Sequence, residues 1–427
     1  MEGLWRGGNL GRCDMKSFFT HLECLSCGKV YPKGEYYLCP SCNGFLDPKY
    51  DYDGIADEFD PKELPFRVHS IWKWFEFLPI EEERNVVTLG EGDTPLIRCR
   101  RINEEVGMRN LYLKDETVNP TGSLKDRSTS VNVSVAKELG VETVAIISTG
   151  NAAASLAAYA ARGGLKAVVM VPETTPEGKV VQALVHGALV LKVRAKSMSE
   201  FYWLYREACS KFGWMDSIGG INPYRNEGKK TYAYELSEAF RWDPPEWFII
   251  PMAGGNALIA AWKGFKELIS LGLISRTPKL VGVQPKECAA TVKAFRDGKD
   301  VAEPVSPGQT IVTSLVVPNP GPKSSLVLKA IRESEGTCDD PSDDEVLDAM
   351  RLLAKEGVFS EPGGAISLAA AKRLVDQGVI DPSDRVVCLI TGSGFKDIKS
   401  VEMILKKPLI IHPTLESLEK ALREPAF

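Results

Sequence analysis

Between residues 143 and 212 the chain repeats one pattern, a short β-branched run followed by a stretch able to form a helix. Residues 143–148 precede 152–162, residues 167–171 precede 179–186, and residues 189–193 precede 199–212. Parallel neighbours need long crossover connections, and helices supply them. The alternation therefore predicts a mostly parallel sheet covered on both faces. Apolar runs at 247–251, which leads into a helix reaching residue 271, and at 385–390 extend the prediction to a second sheet of the same kind.

In such folds ligands gather where strands end and helices begin, so the strand-to-helix turns come next. Residues 119–127 read Asn-Pro-Thr-Gly-Ser-Leu-Lys-Asp-Arg, after a short apolar run at Leu111, Tyr112 and Leu113. Thr121 or Ser123 is expected to cap the helix that follows, which puts Lys125 in its first turn. A lysine there can react with a carbonyl once burial or a cationic neighbour lowers its pKa. Residues 148–151, Ser-Thr-Gly-Asn, form a second turn of small residues whose free amides suit a carboxylate. Residues 253–257, Ala-Gly-Gly-Asn-Ala, open a third helix after a strand and suit a phosphate. Arg225 lies in Asn222-Pro-Tyr-Arg-Asn-Glu-Gly-Lys-Lys-Thr231. Its guanidinium matches phosphate bidentately, against the alternative of an ion pair with Glu227 or Asp216. Lys230 is a second candidate anion contact.

These motifs resemble, in order, those of threonine synthases, a family of fold-type-II pyridoxal-phosphate (PLP) enzymes. The lysine stretch matches the family's Asn-Pro-Thr-Gly-Ser-Phe-Lys-Asp-Arg with Leu124 in place of Phe. Leu89-Gly-Glu-Gly-Asp-Thr-Pro-Leu96, the Asn222 stretch, Glu361-Pro-Gly-Gly-Ala-Ile-Ser367 and Thr391-Gly-Ser-Gly-Phe-Lys-Asp397 extend the match. It implies an α/β fold, tryptophan synthase β-like, with two α/β domains of parallel-rich sheets. It further implies that Lys125 carries the cofactor's aldehyde, Asn151 meets its phenolic oxygen, and Ala253, Gly254, Gly255, Asn256 and Ala257 cradle its phosphate. Thr391 then stands beside the pyridine nitrogen. Ser148, Thr149, Gly150, Arg225 and Lys230 bind the substrate, and Lys125 is the catalytic base. The implied reaction converts O-phosphohomoserine and water to threonine and phosphate.

Three places depart from the pattern. Ala152 replaces a Thr that helps hold the substrate in many threonine synthases, Asn256 sits one place off the usual cup, and the sequence diverges after Asn319-Pro-Gly-Pro322. These departures keep open a related β-replacement or β-elimination on O-phosphoserine or threonine. A non-catalytic homologue is the remote third reading. Glu361 either faces the ligand or caps the helix after it, and the cap is expected.

Ahead of the catalytic motifs stand Cys24-Leu-Ser-Cys27-Gly and Cys39-Pro-Ser-Cys42-Asn-Gly, with eleven residues between Cys27 and Cys39. Paired Cys-x-x-Cys knuckles place four thiolates around one ion, so Cys24, Cys27, Cys39 and Cys42 predict a structural zinc, with iron or redox dithiols as alternatives. The chain then divides into a flexible tail (1–20), a zinc-ribbon-like module (21–52), a connecting arm (53–85) and a catalytic region (86–427). A small subdomain is inserted at about 135–230. The arm's Trp72, Trp74, Phe75 and Phe77 anchor it either to its own chain or to a partner. The remaining six cysteines are expected to be free thiols. A net charge of −5 gives no general attraction for nucleic acid or anionic membranes. No apolar run spans a bilayer and no apolar signal core opens the chain, so a cytoplasmic enzyme is expected. A homodimer follows from family habit.

Overall fold

The computed structural model describes residues 16–423. Residues 1–15 of the predicted tail, Cys13 among them, lie outside the described residues, and Phe19 already opens the first strand. The strands are β1 (Phe19–Cys24), β2 (Val30–Tyr31), β3 (Leu46–Tyr50), β4 (Leu96–Arg98), β5 (Asn110–Asp115), β6 (Thr143–Ile147), β7 (Lys166–Pro172), β8 (Leu189–Val193), β9 (Met215–Asp216), β10 (Trp247–Pro251), β11 (Lys279–Val283), β12 (Thr337–Asp339) and β13 (Arg385–Ile390). They form three sheets, ordered β2-β1-β3, β12-β11-β10-β13-β5-β4 and β8-β7-β6-β9.

The four-stranded sheet is parallel throughout, and in the six-stranded one only β4 runs antiparallel, at the edge. Strands buried on both faces read as continuous apolar runs, and β10 and β13 show why. Trp247 and Ile249 pack with Val386, Cys388 and Ile390 against the helix Pro362–Asp376. Phe248 and Ile250 pack with Val387 and Leu389 against Tyr232, Leu258 and Phe265 on the other face. In the smaller sheet Val144 and Ile146 meet Leu156 and Tyr159, whereas Ala145 meets Phe201 and Tyr205.

The connecting arm closes on its own chain. Trp72, Trp74, Phe75 and Phe77 are all buried. Trp74 and Phe77 pack on Tyr234, with ring centroids 5.2 and 5.0 Å away. Trp72 donates its indole N–H to Glu91 at 3.0 Å, which satisfies the polar end of a buried ring. Cys99, Cys288, Cys338 and Cys388 are buried free thiols and Cys209 is half-buried. Among the described residues no helix is long and apolar enough to cross a membrane.

Candidate active site

Lys125 opens the helix Lys125–Glu138 beyond the end of β5, and the residues around it are tied down one by one. Asn119 accepts the Gly92 N–H at 3.0 Å and donates to Glu116 at 2.8 Å. Thr121 donates both its backbone N–H and its hydroxyl to Asp126, each at 2.6 Å. The expected side-chain cap takes this other form: Leu124 occupies the cap position without a side-chain bond, and Ser123 only accepts the Lys125 N–H at 3.3 Å. Arg127 anchors the turn from below. It bonds both oxygens of Glu116 at 2.7 Å and also pairs with Glu235, which Lys114 meets at 2.6 Å. The Arg127 guanidinium beside Glu116 and Glu235 holds both carboxyls below their usual range, against the desolvation that would raise them.

Two distant turns lace onto this loop. Leu124 N–H donates to the Thr391 carbonyl at 3.0 Å, and Ser393 N–H to Gly122 at 2.9 Å. Glu361 N–H in turn donates to Gly392 at 3.0 Å. The Glu361 side chain makes no cap bond to its helix, which corrects the expectation. It accepts instead from Asn151 Nδ2 at 2.8 Å, and burial pushes its carboxyl up to about 7. Asn151 starts the helix Asn151–Gly163, so Ser148, Thr149 and Gly150 form the turn at its N-terminus. The Thr391 hydroxyl has no hydrogen-bond partner among the described residues.

Arg225 approaches from the helix Tyr224–Ala239. That helix can lie close because of Gly228, where a Cβ would stand 1.8 Å from the Arg127 carbonyl oxygen. Arg225 is 1% exposed, and its Nε and Nη1 have no partner. Its one bond is from Nη2 to Ser128 at 3.3 Å, so the alternative of an ion pair does not occur among the described residues. One helical turn on, Lys229 is also buried, with no hydrogen bond or ion pair from its amine among the described residues. Burial and the charges of Lys125, Arg225 and Lys323 depress its pKa. Lys125 is likewise depressed, by burial and then by Arg225, with Glu361 opposing.

Lys230 does not join them. It sits 2.7 Å from Glu227 and 2.9 Å from Glu267, and over the Tyr50 ring. Residues four apart share a helix face and residues five apart do not, so Lys229, not Lys230, lies on the Arg225 side of the helix.

Residues 253–257 turn from β10 into the helix Asn256–Ser270. Gly255 has φ +80°, and a Cβ there would strike Val327 at 2.2 Å. No side chain caps this helix. Asn256 Nδ2 donates to the Gly219 carbonyl, and Lys323 donates to Asn256 Oδ1 at 2.8 Å.

A family model described as pyridoxal-phosphate dependent enzyme matches residues 87–392. A threonine synthase of Methanocaldococcus jannaschii is 39% identical over 94% of this chain and 99% of its own length. Another, of Methanosarcina acetivorans, is 38% identical over 94% of this chain and 98% of its own. The chain belongs to the threonine synthase family of PLP-dependent enzymes. Its fold is similar to that of a threonine deaminase of Solanum lycopersicum, which superposes with TM-score 0.64 at 20% identity, covering 81% of this chain and 93% of that one.

The site fits the cofactor of the threonine synthase family on its own geometry. It offers an amine with no ion pair among the described residues (Lys125) and an uncapped helix start behind a glycine turn (253–257). Lys229 and Lys323 escaped the sequence reading. For Lys229 the signal was its one-turn spacing from Arg225. Apart from this site, the sulfur atoms of Cys24, Cys27, Cys39 and Cys42 lie within 4.8 Å of one another. Cys24 and Cys42 are 3.5 Å apart and Cys27 and Cys39 3.7 Å, near the ~3.8 Å edge of a tetrahedron built on metal–sulfur bonds of about 2.3 Å.

Proposed function

We propose that the protein is a threonine synthase that converts O-phosphohomoserine and water to threonine and phosphate. The observation that carries this reading is the buried Arg225, whose Nε and Nη1 have no partner among the described residues, with the amines of Lys125 and Lys229 close beside it. Buried charges are normally paired, and a dianionic phosphate supplies the missing partner. PLP, when bound, acts as an electron sink for carbanions at the substrate's Cα and Cβ.

In this reading Lys125 holds the cofactor's aldehyde and carries protons at Cα and Cβ. Burial, and then Arg225, lower its pKa, the direction in which a general base is tuned. Residues 253–257 hold the cofactor's phosphate, Asn151 its phenolic oxygen, and Thr391 offers a hydroxyl to its ring nitrogen. Ser148, Thr149 and Gly150 take the substrate carboxylate at the start of the helix Asn151–Gly163. Arg225 forks onto the substrate phosphate with Lys229 beside it, and both follow the leaving group as its charge develops. The four-cysteine cluster holds a structural zinc. The free buried thiols suit a reducing compartment, and hence the cytoplasm; the homodimer rests on family habit.

Ala152 favours a second reading, β-elimination from O-phosphoserine or threonine. Purified, PLP-loaded protein is incubated with O-phosphohomoserine, and phosphate and threonine are measured, with Lys125→Ala as the blank. Equal amounts of both products, absent in the variant, are expected. No turnover, together with release of a 2-oxo acid and ammonia from O-phosphoserine, would replace the first reading with the second.

A further inference from the structure

We propose that Lys323 is a positioning residue that couples the four-cysteine module to the phosphate-handling end of the site. Lys323 lies in the segment that diverges from the family pattern, and its ammonium makes three contacts. It donates to the Gly220 carbonyl and, at 2.8 Å, to Asn256 Oδ1. It also stands 4.8 Å over the ring of Phe45. An ammonium has three donors and an attraction for ring faces, so all three directions are used.

The turn at 219–220 that Lys323 grips is wedged between the two phosphate-facing elements. A Cβ built on Gly219 would lie 3.7 Å from Arg225 Nε and 3.9 Å from Asn256 Nδ2. Asn256 Nδ2 closes the other side by donating to the Gly219 carbonyl. Moving this turn therefore moves Arg225 against residues 253–257.

The cysteine module holds the same turn from both flanks. Upstream, Asp216 N–H donates to Tyr37 Oη at 2.8 Å. Downstream, Tyr224 Oη donates to the Gly34 carbonyl at 2.8 Å and accepts the Gly34 N–H at 3.0 Å. Phe45 follows the second knuckle, bridges Leu38, and accepts the Leu25 N–H at 2.9 Å from the first. The ring under Lys323 is thus fixed by the backbone that folds around the four thiols.

The coupling to Arg225 rests on the proposed phosphate chemistry, whereas the coupling to Asn256 needs only the cofactor. Two readouts separate them: PLP affinity, followed by the visible absorption of the lysine-bound cofactor, and KM against kcat for O-phosphohomoserine. Lys323→Met is expected to weaken PLP binding and raise KM by about tenfold each, with kcat changed less than about threefold, and Lys323→Arg to restore most of both. Phe45→Ala, with zinc content unchanged, is expected to shift both in the same direction by about threefold, and Phe45→Tyr not at all. The double variant Phe45→Ala/Lys323→Met should match Lys323→Met alone. Wild-type affinity and KM in Lys323→Met, or additive effects in the double variant, would overturn the proposal. If the wild type does not turn over O-phosphohomoserine, the functional reading fails, and the PLP-affinity arm still decides the coupling.

Discussion

Arg127 and Arg225 are 0% and 1% exposed, on two helices that touch at Gly228, yet their surroundings are opposite. Arg127 spends its guanidinium on Glu116, Glu235, Thr94 and Thr231. Arg225 has two nitrogens with no partner and Lys229 beside it. Desolvating a charge is expensive unless it is paired. The first arginine is therefore part of the scaffold that aims Lys125. The second has no such partners, which is what the proposed role on a substrate phosphate requires. Burial alone does not distinguish structural from functional charge; the inventory of partners does.

The comparison is broken most severely by Arg127→Met, which leaves Glu116 and Glu235 buried without their cation. We expect a loss of about 3–5 kcal/mol in urea denaturation. Arg225→Met is expected to leave the denaturation midpoint unchanged or higher, because it removes an unpaired charge. It should lower kcat/KM for O-phosphohomoserine by about 100-fold, through two charge-assisted hydrogen bonds of about 1.5 kcal/mol each. A fall in stability like that of Arg127→Met would erase the distinction. Lys229→Met is expected to lower kcat/KM by about tenfold, and Lys230→Met to lower stability instead, since Lys230 neutralises Glu227 and Glu267.

A pH-dependent effect concerns Glu361. With its carboxyl raised to about 7 by burial, the folded protein binds that proton more tightly than the unfolded chain does. Stability therefore declines as pH climbs from the ordinary carboxylate range to about 7, and this contribution is flat above it. Melting temperatures of Glu361→Gln should lack that share of the decline.

Much of the frame was legible because it is local. The runs at 189–193, 247–251 and 385–390 became β8, β10 and β13 with the bounds their apolar content implies. The lysine loop was legible as a turn, but its cap was not, since Thr121 donates to the Asp126 carboxylate in the helix's first turn rather than accepting a backbone N–H there. What stayed hidden is long-range. Glu361 reads as a helix cap from the sequence because its partner Asn151 is 210 residues away. Lys323 met its partners Phe45 and Gly220 only in the folded chain. Lys229 and Lys230 are chemically identical, and only the phase of the helix from Arg225 assigns one to the site and the other to an ion cluster.

The most direct test of the unpaired cations is calorimetric titration of the PLP-loaded protein with inorganic phosphate, wild type beside Arg225→Met. With the cofactor's own phosphate already in place, one further phosphate is expected to bind the wild type and to bind the variant at least tenfold more weakly. Absence of binding, or equal binding by both proteins, would contradict the assignment of Arg225 to a substrate phosphate.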